Sequence, residues 1–347
     1  MSLQAEPPVG RGEKAVGPGR LAAVTGADGL LGSHLVRRLL DSGMQVRVLV
    51  EPGSDSPTLE GLDVEKRACD LRADDSGLAE GLDGCDFVFH CAAVTDMWAD
   101  PRAAWEVNLE GTRKVLDACL ENGTGRLVHV GSASSFAFGP IDRPGDETGP
   151  FPEVYRGTAY MESKHEAMKL VFECVERRGM DAVVIAPTFM LGAYDRRPSG
   201  GELIRQFIKR GLSYVSPGGR NFANAADVAD AAVLALGKGR AGEAYIAGGW
   251  NMRYLDFFEA VARTAGVDPP RRILPGPVVM AAGAAGSVFA GITRKRAVID
   301  WKMARFSCCD TYYSSDRAQQ ELGMTLTPIE RAIEDSVESL REYGYID

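Results

Sequence analysis

Tyr160 and Lys164 stand four residues apart within 160–176, a segment whose pattern predicts a helix. Residues four apart on a helix share one face, one turn apart, and that is the geometry a proton relay needs. A phenol titrates near about 10, and an adjacent ammonium favours phenolate, bringing the tyrosine closer to acid–base work near neutrality. A second chemical signal lies upstream. Gly26, Gly29 and Gly32 follow the apolar run 21–24 and precede Leu35, Val36, Leu39 and Leu40, which fall on one helical face ending at Gly43. In such a strand–turn–helix, Gly26 allows the turn, Gly29 lets backbone amides approach a pyrophosphate, and Gly32 lets the helix sit close on the strand. Phosphates would then rest on the free N–H groups of the helix start. The spacing predicts a dinucleotide site.

The elements that must position these groups alternate along the chain. Apolar runs at 45–50, 64–68, 86–93, 126–130, 181–186 and 243–247 read as strands, and 108–119, 160–176 and 226–236 read as helices between them. Alternation of this kind predicts an α/β fold with a doubly wound parallel sheet. From 189 to 222 glycine, proline and aromatics dominate and the regularity stops. Residues 1–20 carry three prolines and four glycines and read as a disordered tail. The stretch 276–293 has no charge and is followed by Arg294-Lys295-Arg296; it reads as a packed or interfacial helix, with weak contact to a membrane surface through 276–296.

The 347 residues are 45% hydrophobic with a net charge of −9, enough for a sizeable core and unsuited to a nucleic-acid partner. Seven scattered cysteines without a Cys-x-x-Cys pair suggest reduced thiols and a cytoplasmic protein. Four histidines without paired spacing give no metal site. His34 and His165 read as solvent-facing, His129 lies inside a strand, and His90 ends one in a packing role.

Taken together, the motifs resemble the extended short-chain dehydrogenase/reductases, in the branch of dihydroflavonol reductases and 3β-hydroxysteroid dehydrogenases. The resemblance rests on Thr-Gly-x-x-Gly-x-x-Gly at 25–32, Asp70-Leu71, His90-Cys91-Ala92-Ala93, Asn108-Leu109-Glu110-Gly111-Thr112 and Tyr160-x-x-x-Lys164, with a later echo at 224–229 and 312–323. It implies a Rossmann domain at 21–187, to which 224–250 returns. A smaller, mostly helical substrate-binding part would comprise 188–223 and 251–347, and the expected assembly is a homodimer. The resemblance implies that NAD, or alternatively NADP, is held by Thr25, Gly26, Asp28, Gly29, Leu30, Leu31, Gly32, Glu51, Asp70, Leu71, Cys91, Ala92, Ala93, Asn108 and Pro187, together with Tyr160 and Lys164.

NADP-dependent relatives of this branch carry Arg where this chain has Glu51, and a carboxylate repels a 2′-phosphate, so NAD leads; Arg47 and Arg72 are the cations that could serve NADP. A hydroxyl should orient the substrate oxygen. Counting from the strand end selects Ser132, and counting back from Phe138-Gly139 selects Ser134. Ala186 replaces a common Arg, which argues against a nucleotide-sugar diphosphate, while Trp98, Phe136, Phe189 and Tyr194 suggest an aromatic pocket. The expectation is a ketone/alcohol oxidoreductase acting on a steroid- or flavonoid-like small molecule. A nucleotide-sugar epimerase or dehydratase is the first alternative, and a non-catalytic dinucleotide sensor the second.

Overall fold

The computed structural model describes residues 17–97, 99–293 and 299–347. Most of the predicted tail and the basic residues 294–296 lie outside them. In chain order the strands are β1 (Leu21–Thr25), β2 (Gln45–Val50), β3 (Glu65–Ala68), β4 (Phe87–His90), β5 (Arg126–Val130), β6 (Ala182–Pro187), β7 (Phe189–Leu191), β8 (Tyr214–Val215), β9 (Gly219–Asn224), β10 (Ala244–Ala247), β11 (Trp250–Arg253), β12 (Arg272–Ile273) and β13 (Asp310–Thr311). The helices are α1 (Leu30–Asp41), α2 (Leu78–Leu82), α3 (Pro101–Ala104), α4 (Gly111–Glu121), α5 (Ala159–Arg178), α6 (Gly201–Arg210), α7 (Ala225–Lys238), α8 (Tyr254–Ala265), α9 (Gly276–Thr293), α10 (Trp301–Ser307) and α11 (Ile329–Glu342).

Seven strands form one sheet in the order β10-β6-β5-β4-β1-β2-β3, and every pair in it is parallel. Parallel strands covered on both faces are apolar at nearly every position; β4, β5 and β6 are buried throughout, whereas the edge strand β3 is exposed along its length. One face is covered by α1, whose Leu31, Leu35, Val36 and Leu39 are buried against the sheet and against α7. Each such side chain contributes about 2 kcal/mol. Alanines 229, 231, 232 and 235 of α7 are fully buried there, keeping that helix thin enough for both to share the face. The chain reverses its winding between β1 and β4, and ligands of open α/β sheets bind at the carboxyl ends of strands at such a point.

Arg20, counted in the predicted tail, is tied to the sheet. The Arg20 carbonyl accepts from Gln45 N–H, and its guanidinium pairs with Asp86. Nor is 189–222 irregular: it holds β7, α6, β8 and β9. β7, β11 and β13 all pair with β9 to make a second sheet, packed with α6, α8 and α11 around the stacked rings of Phe222 and Phe257, 3.9 Å apart. Asn221 on β9 ties this lobe together, accepting from Thr188 and Gly249 and donating to Gly249, Asn251 and Tyr313.

Candidate active site

The glycine turn follows β1 directly. Gly26 has φ +65°, and a Cβ there would meet the Ala92 backbone at 2.7 Å; a Cβ on Gly32 would lie 2.1 Å from the Gly26 carbonyl oxygen. Only hydrogen fits at either position. At Gly29 a Cβ would touch nothing nearer than 3.4 Å, and this residue begins α1 with no side-chain cap. The helix start is thus bare and open, with its N–H groups and positive dipole end available to an anion. Leu30 and Leu31 are buried, so what they offer a ligand is backbone. Asp28 is held from behind, its carboxylate accepting from Ser54 and its carbonyl from Thr58. These features fit the pyrophosphate of NAD.

Behind this turn runs a closed hydrogen-bond relay. Thr112 donates to the Asn108 carbonyl at 2.6 Å, so its oxygen must accept from His90 Nε2–H at 3.0 Å. His90 Nδ1 then accepts from Thr25 at 2.8 Å, and Thr25 Oγ1 accepts from Ala92 N–H. One neutral tautomer satisfies every partner. Burial lowers the His90 pKa to about 3, so the ring stays uncharged. Asn108 is likewise spent: its amide oxygen accepts from Val94 N–H, and its amide nitrogen donates to the Val94 carbonyl and to Ser163 Oγ. Ser163 in turn donates to the Tyr160 carbonyl. Thr25 and Asn108, expected to touch the cofactor, have side chains committed to the protein; they brace the segment through Cys91, Ala92 and Ala93 against α5. Asn108 sits in a π-helical turn, Trp105–Glu110, between α3 and α4, a geometry frequent at functional sites.

The reactive groups converge where β5 ends and α5 passes. The Ser132 hydroxyl is close enough to the Tyr160 phenol to act on its titration, and Ser134 Oγ lies 2.8 Å from Ser132 Oγ. Both candidate hydroxyls are therefore present, Ser132 as the one that acts on the tyrosine and Ser134 bonded to Ser132. Burial pushes the Tyr160 pKa up, against the pull of the Ser132 hydroxyl and the Arg220 charge. Lys164 is buried, donates to the Val130 carbonyl at 2.5 Å, and has its pKa lowered by burial to about 8. The ammonium expected to lower the tyrosine is here turned to β5, and the phenol is raised instead. Cys91, beside this lysine, is an unreactive thiol, its pKa raised by burial to about 12.

At the far end of the turn, Glu51 is well exposed after β2, 3.5 Å from Arg72, which also pairs with Asp70 at 3.2 Å. Arg47 is committed elsewhere, to Glu65 and to the carbonyls of Gly81 and Asp83, which leaves Arg72 as the nearby cation. Leu71 is buried, and its carbonyl accepts from Lys114. Pro187 is the buried last residue of β6.

The wall beside Tyr160 is apolar. Tyr155, Met161 and Phe306 pack together, with Met97, Phe138, Phe151 and Tyr160 against them, and the Tyr155 ring lies 5.7 Å from Phe138 and 5.5 Å from Phe306. The predicted pocket aromatics are placed differently. Phe136 belongs to the core under the sheet, and Phe189 lies beneath Arg220. Tyr194 lies under the Arg37 guanidinium and meets the His34 ring edge-on, both on α1. Trp98 lies outside the described residues. His34 is not solvent-facing: it bonds to the Ala193 carbonyl, and burial lowers its pKa to about 4. Arg220 was missed in the sequence. Its charge acts on Tyr155, Tyr160 and Tyr313, and among the described residues it has no carboxylate at ion-pair distance. A lone arginine on a six-residue strand carries no sequence signal.

Residues 22–248 match the NAD dependent epimerase/dehydratase family. The chain is similar to sterol demethylase protein B of Methylococcus capsulatus, 29% identical over 93% of this chain and 99% of that one. Among solved structures it is similar to gox2253, 30% identical with a TM-score of 0.83, covering 94% of this chain and 99% of the other. It is also similar to a nucleoside-diphosphate-sugar epimerase from Pseudomonas aeruginosa, 25% identical with a TM-score of 0.77, covering 95% and 100%.

Proposed function

The chain belongs to the NAD dependent epimerase/dehydratase family, and from that membership we propose that it interconverts a ketone and a secondary alcohol on a largely apolar substrate through Tyr160, Ser132 and Lys164. It is an NAD(P)-dependent oxidoreductase of the extended short-chain type. NAD, when bound, supplies or accepts the hydride. The protein's own part is to orient an oxygen and move a proton. In this reading the Ser132 and Tyr160 hydroxyls, neighbours in the site, both donate to the substrate oxygen. The raised tyrosine keeps its proton at neutral pH, the form that donates to a carbonyl oxygen during reduction. Oxidation needs the phenolate, so it quickens as pH rises toward the tyrosine pKa. Lys164, one turn along α5 and bonded to the Val130 carbonyl in this structure, would favour that phenolate once its ammonium turns toward the phenol.

The observation that carries the apolar reading is the sulfur and aromatic cluster of Met161, Tyr155 and Phe306 packed against Tyr160. The similarity to a sterol demethylase protein supports it. A nucleotide-sugar epimerase or dehydratase is the second reading, favoured by Arg220 near the same phenol and by the similarity to the Pseudomonas enzyme. Replacing Tyr160 with Phe tests the chemistry. It should cut turnover by about 10²–10⁴-fold while NAD affinity stays within a factor of about two. Turnover within about tenfold of the parent would remove Tyr160 from the mechanism.

A further inference from the structure

The helix α9 has 18 residues without a charge, and Val278, Ala281, Ala285, Val288, Phe289 and Ile292, spaced three and four apart, make one exposed stripe. Its larger members are 50%, 62%, 51% and 79% exposed at Val278, Val288, Phe289 and Ile292. Single exposed apolar side chains are ordinary, but a contiguous stripe marks a surface that meets something. The opposite face is taken. Val279 and Gly283 are buried, a Cβ on Gly283 would lie 2.4 Å from the Ala304 Cβ of α10, and Trp301 N–H donates to Ser287 Oγ.

The charge around the stripe identifies the partner. Between Arg271 and Arg305 the chain carries seven Lys/Arg and one carboxylate, Asp300, in a protein of net charge −9. The short strand pair leading into α9 continues the pattern, with exposed Tyr214 and Ile273 beside Arg272. We propose that α9 docks this enzyme on an anionic lipid bilayer, lying in the headgroup region with the stripe toward the acyl chains and the flanking cations on lipid phosphates. A second copy of the chain fits less well, because pairing the stripe with itself about a two-fold axis brings the cations of both copies together. Crossing the bilayer is also disfavoured. Although α9 is long and apolar enough to span, doing so would strip its Gly283 face from α10, which carries Lys302 and Arg305.

Docking has a consequence for the site, one that rests on the apolar-substrate reading. The hairpin partner α10 contributes Phe306 to the wall beside Tyr160, and Lys302 donates to the Gly157 carbonyl just before α5. A bilayer-bound hairpin would therefore hold the apolar wall of the site at the surface from which an apolar substrate arrives.

The test is flotation of the full chain with vesicles of phosphatidylcholine alone or mixed with phosphatidylglycerol, at low and high salt. The expected result is binding to the mixed vesicles, about tenfold or more weaker on neutral vesicles or in high salt. It should be lost in a combined Val288→Ser, Phe289→Ser, Ile292→Ser variant and released by alkaline carbonate. A parent chain that never floats overturns docking, as does a dimer that this variant dissociates, and resistance to carbonate would mean spanning instead. Turnover of a detergent-dispersed steroid alcohol separates the two ideas: if it persists without vesicle binding, docking alone fails. Vesicle binding without turnover of any apolar alcohol leaves docking intact and removes the substrate reading.

Discussion

The glycine turn with its braces and the α9–α10 hairpin solve opposite problems. Around β1 and β4 the polar side chains are spent on one another: Thr25, His90, Thr112 and Asn108 form a relay with no spare donor, and two glycines admit nothing larger than hydrogen. On the hairpin one helix face is fixed by Gly283 and Ser287, while the other leaves its largest apolar side chains half or more exposed. Internal satisfaction makes the first region rigid and its ligand geometry fixed in advance. Unspent surface makes the second a place to meet a partner.

One substitution in each region should expose that difference. Adding one methyl by Gly32→Ala drives a Cβ toward the Gly26 carbonyl, where backbone cannot yield, and should cost about 3 kcal/mol or more along with most NAD affinity. Ile292→Ser removes far more apolar bulk, yet it should shift stability by no more than about 0.5 kcal/mol, because that side chain leaves no cavity behind. Denaturant melts of both variants check the pair. Comparable losses would mean that the hairpin is packed more tightly than its exposure indicates.

Within the rigid region the two serines should separate next. Ser132→Ala should lower kcat by about 100-fold, and Ser134→Ala by less than about tenfold, since of the two only Ser132 acts on the phenol. The reverse order would place the orienting hydroxyl at Ser134. A smaller effect is expected at the exposed end of the cofactor site: Glu51→Arg should move the ratio of kcat/KM toward NADP by about tenfold, pairing with a 2′-phosphate beside Arg72 in place of repulsion. A parent enzyme that already prefers NADP would contradict the role given to Glu51.

What could be read from the chain alone follows the same division. The strands Gln45–Val50 and Arg126–Val130 carry their bounds in apolar runs closed by turn residues, and the glycine spacing encodes its own turn. Those signals are local. The brace role of Asn108 was not readable, because a π-helical turn differs from an α-helix only in which carbonyl each amide chooses. Phe306 and Arg220 come to act beside Tyr160 from segments distant in sequence, which no periodicity records. Small strands of two to six residues in the second lobe escaped for lack of length, and Tyr194 was misplaced because an aromatic side chain states its burial but not its partner.

The most direct measurement follows nicotinamide absorbance continuously while the purified enzyme is offered steroid and flavanol alcohols beside nucleotide sugars. Net oxidation or reduction on an apolar substrate requires absorbance to change one-for-one with product, and that is the expected result. Interconversion of a nucleotide sugar with tightly held NAD and no net absorbance change would contradict it, and would make Arg220 rather than the Tyr155–Phe306 wall the feature that selects the substrate.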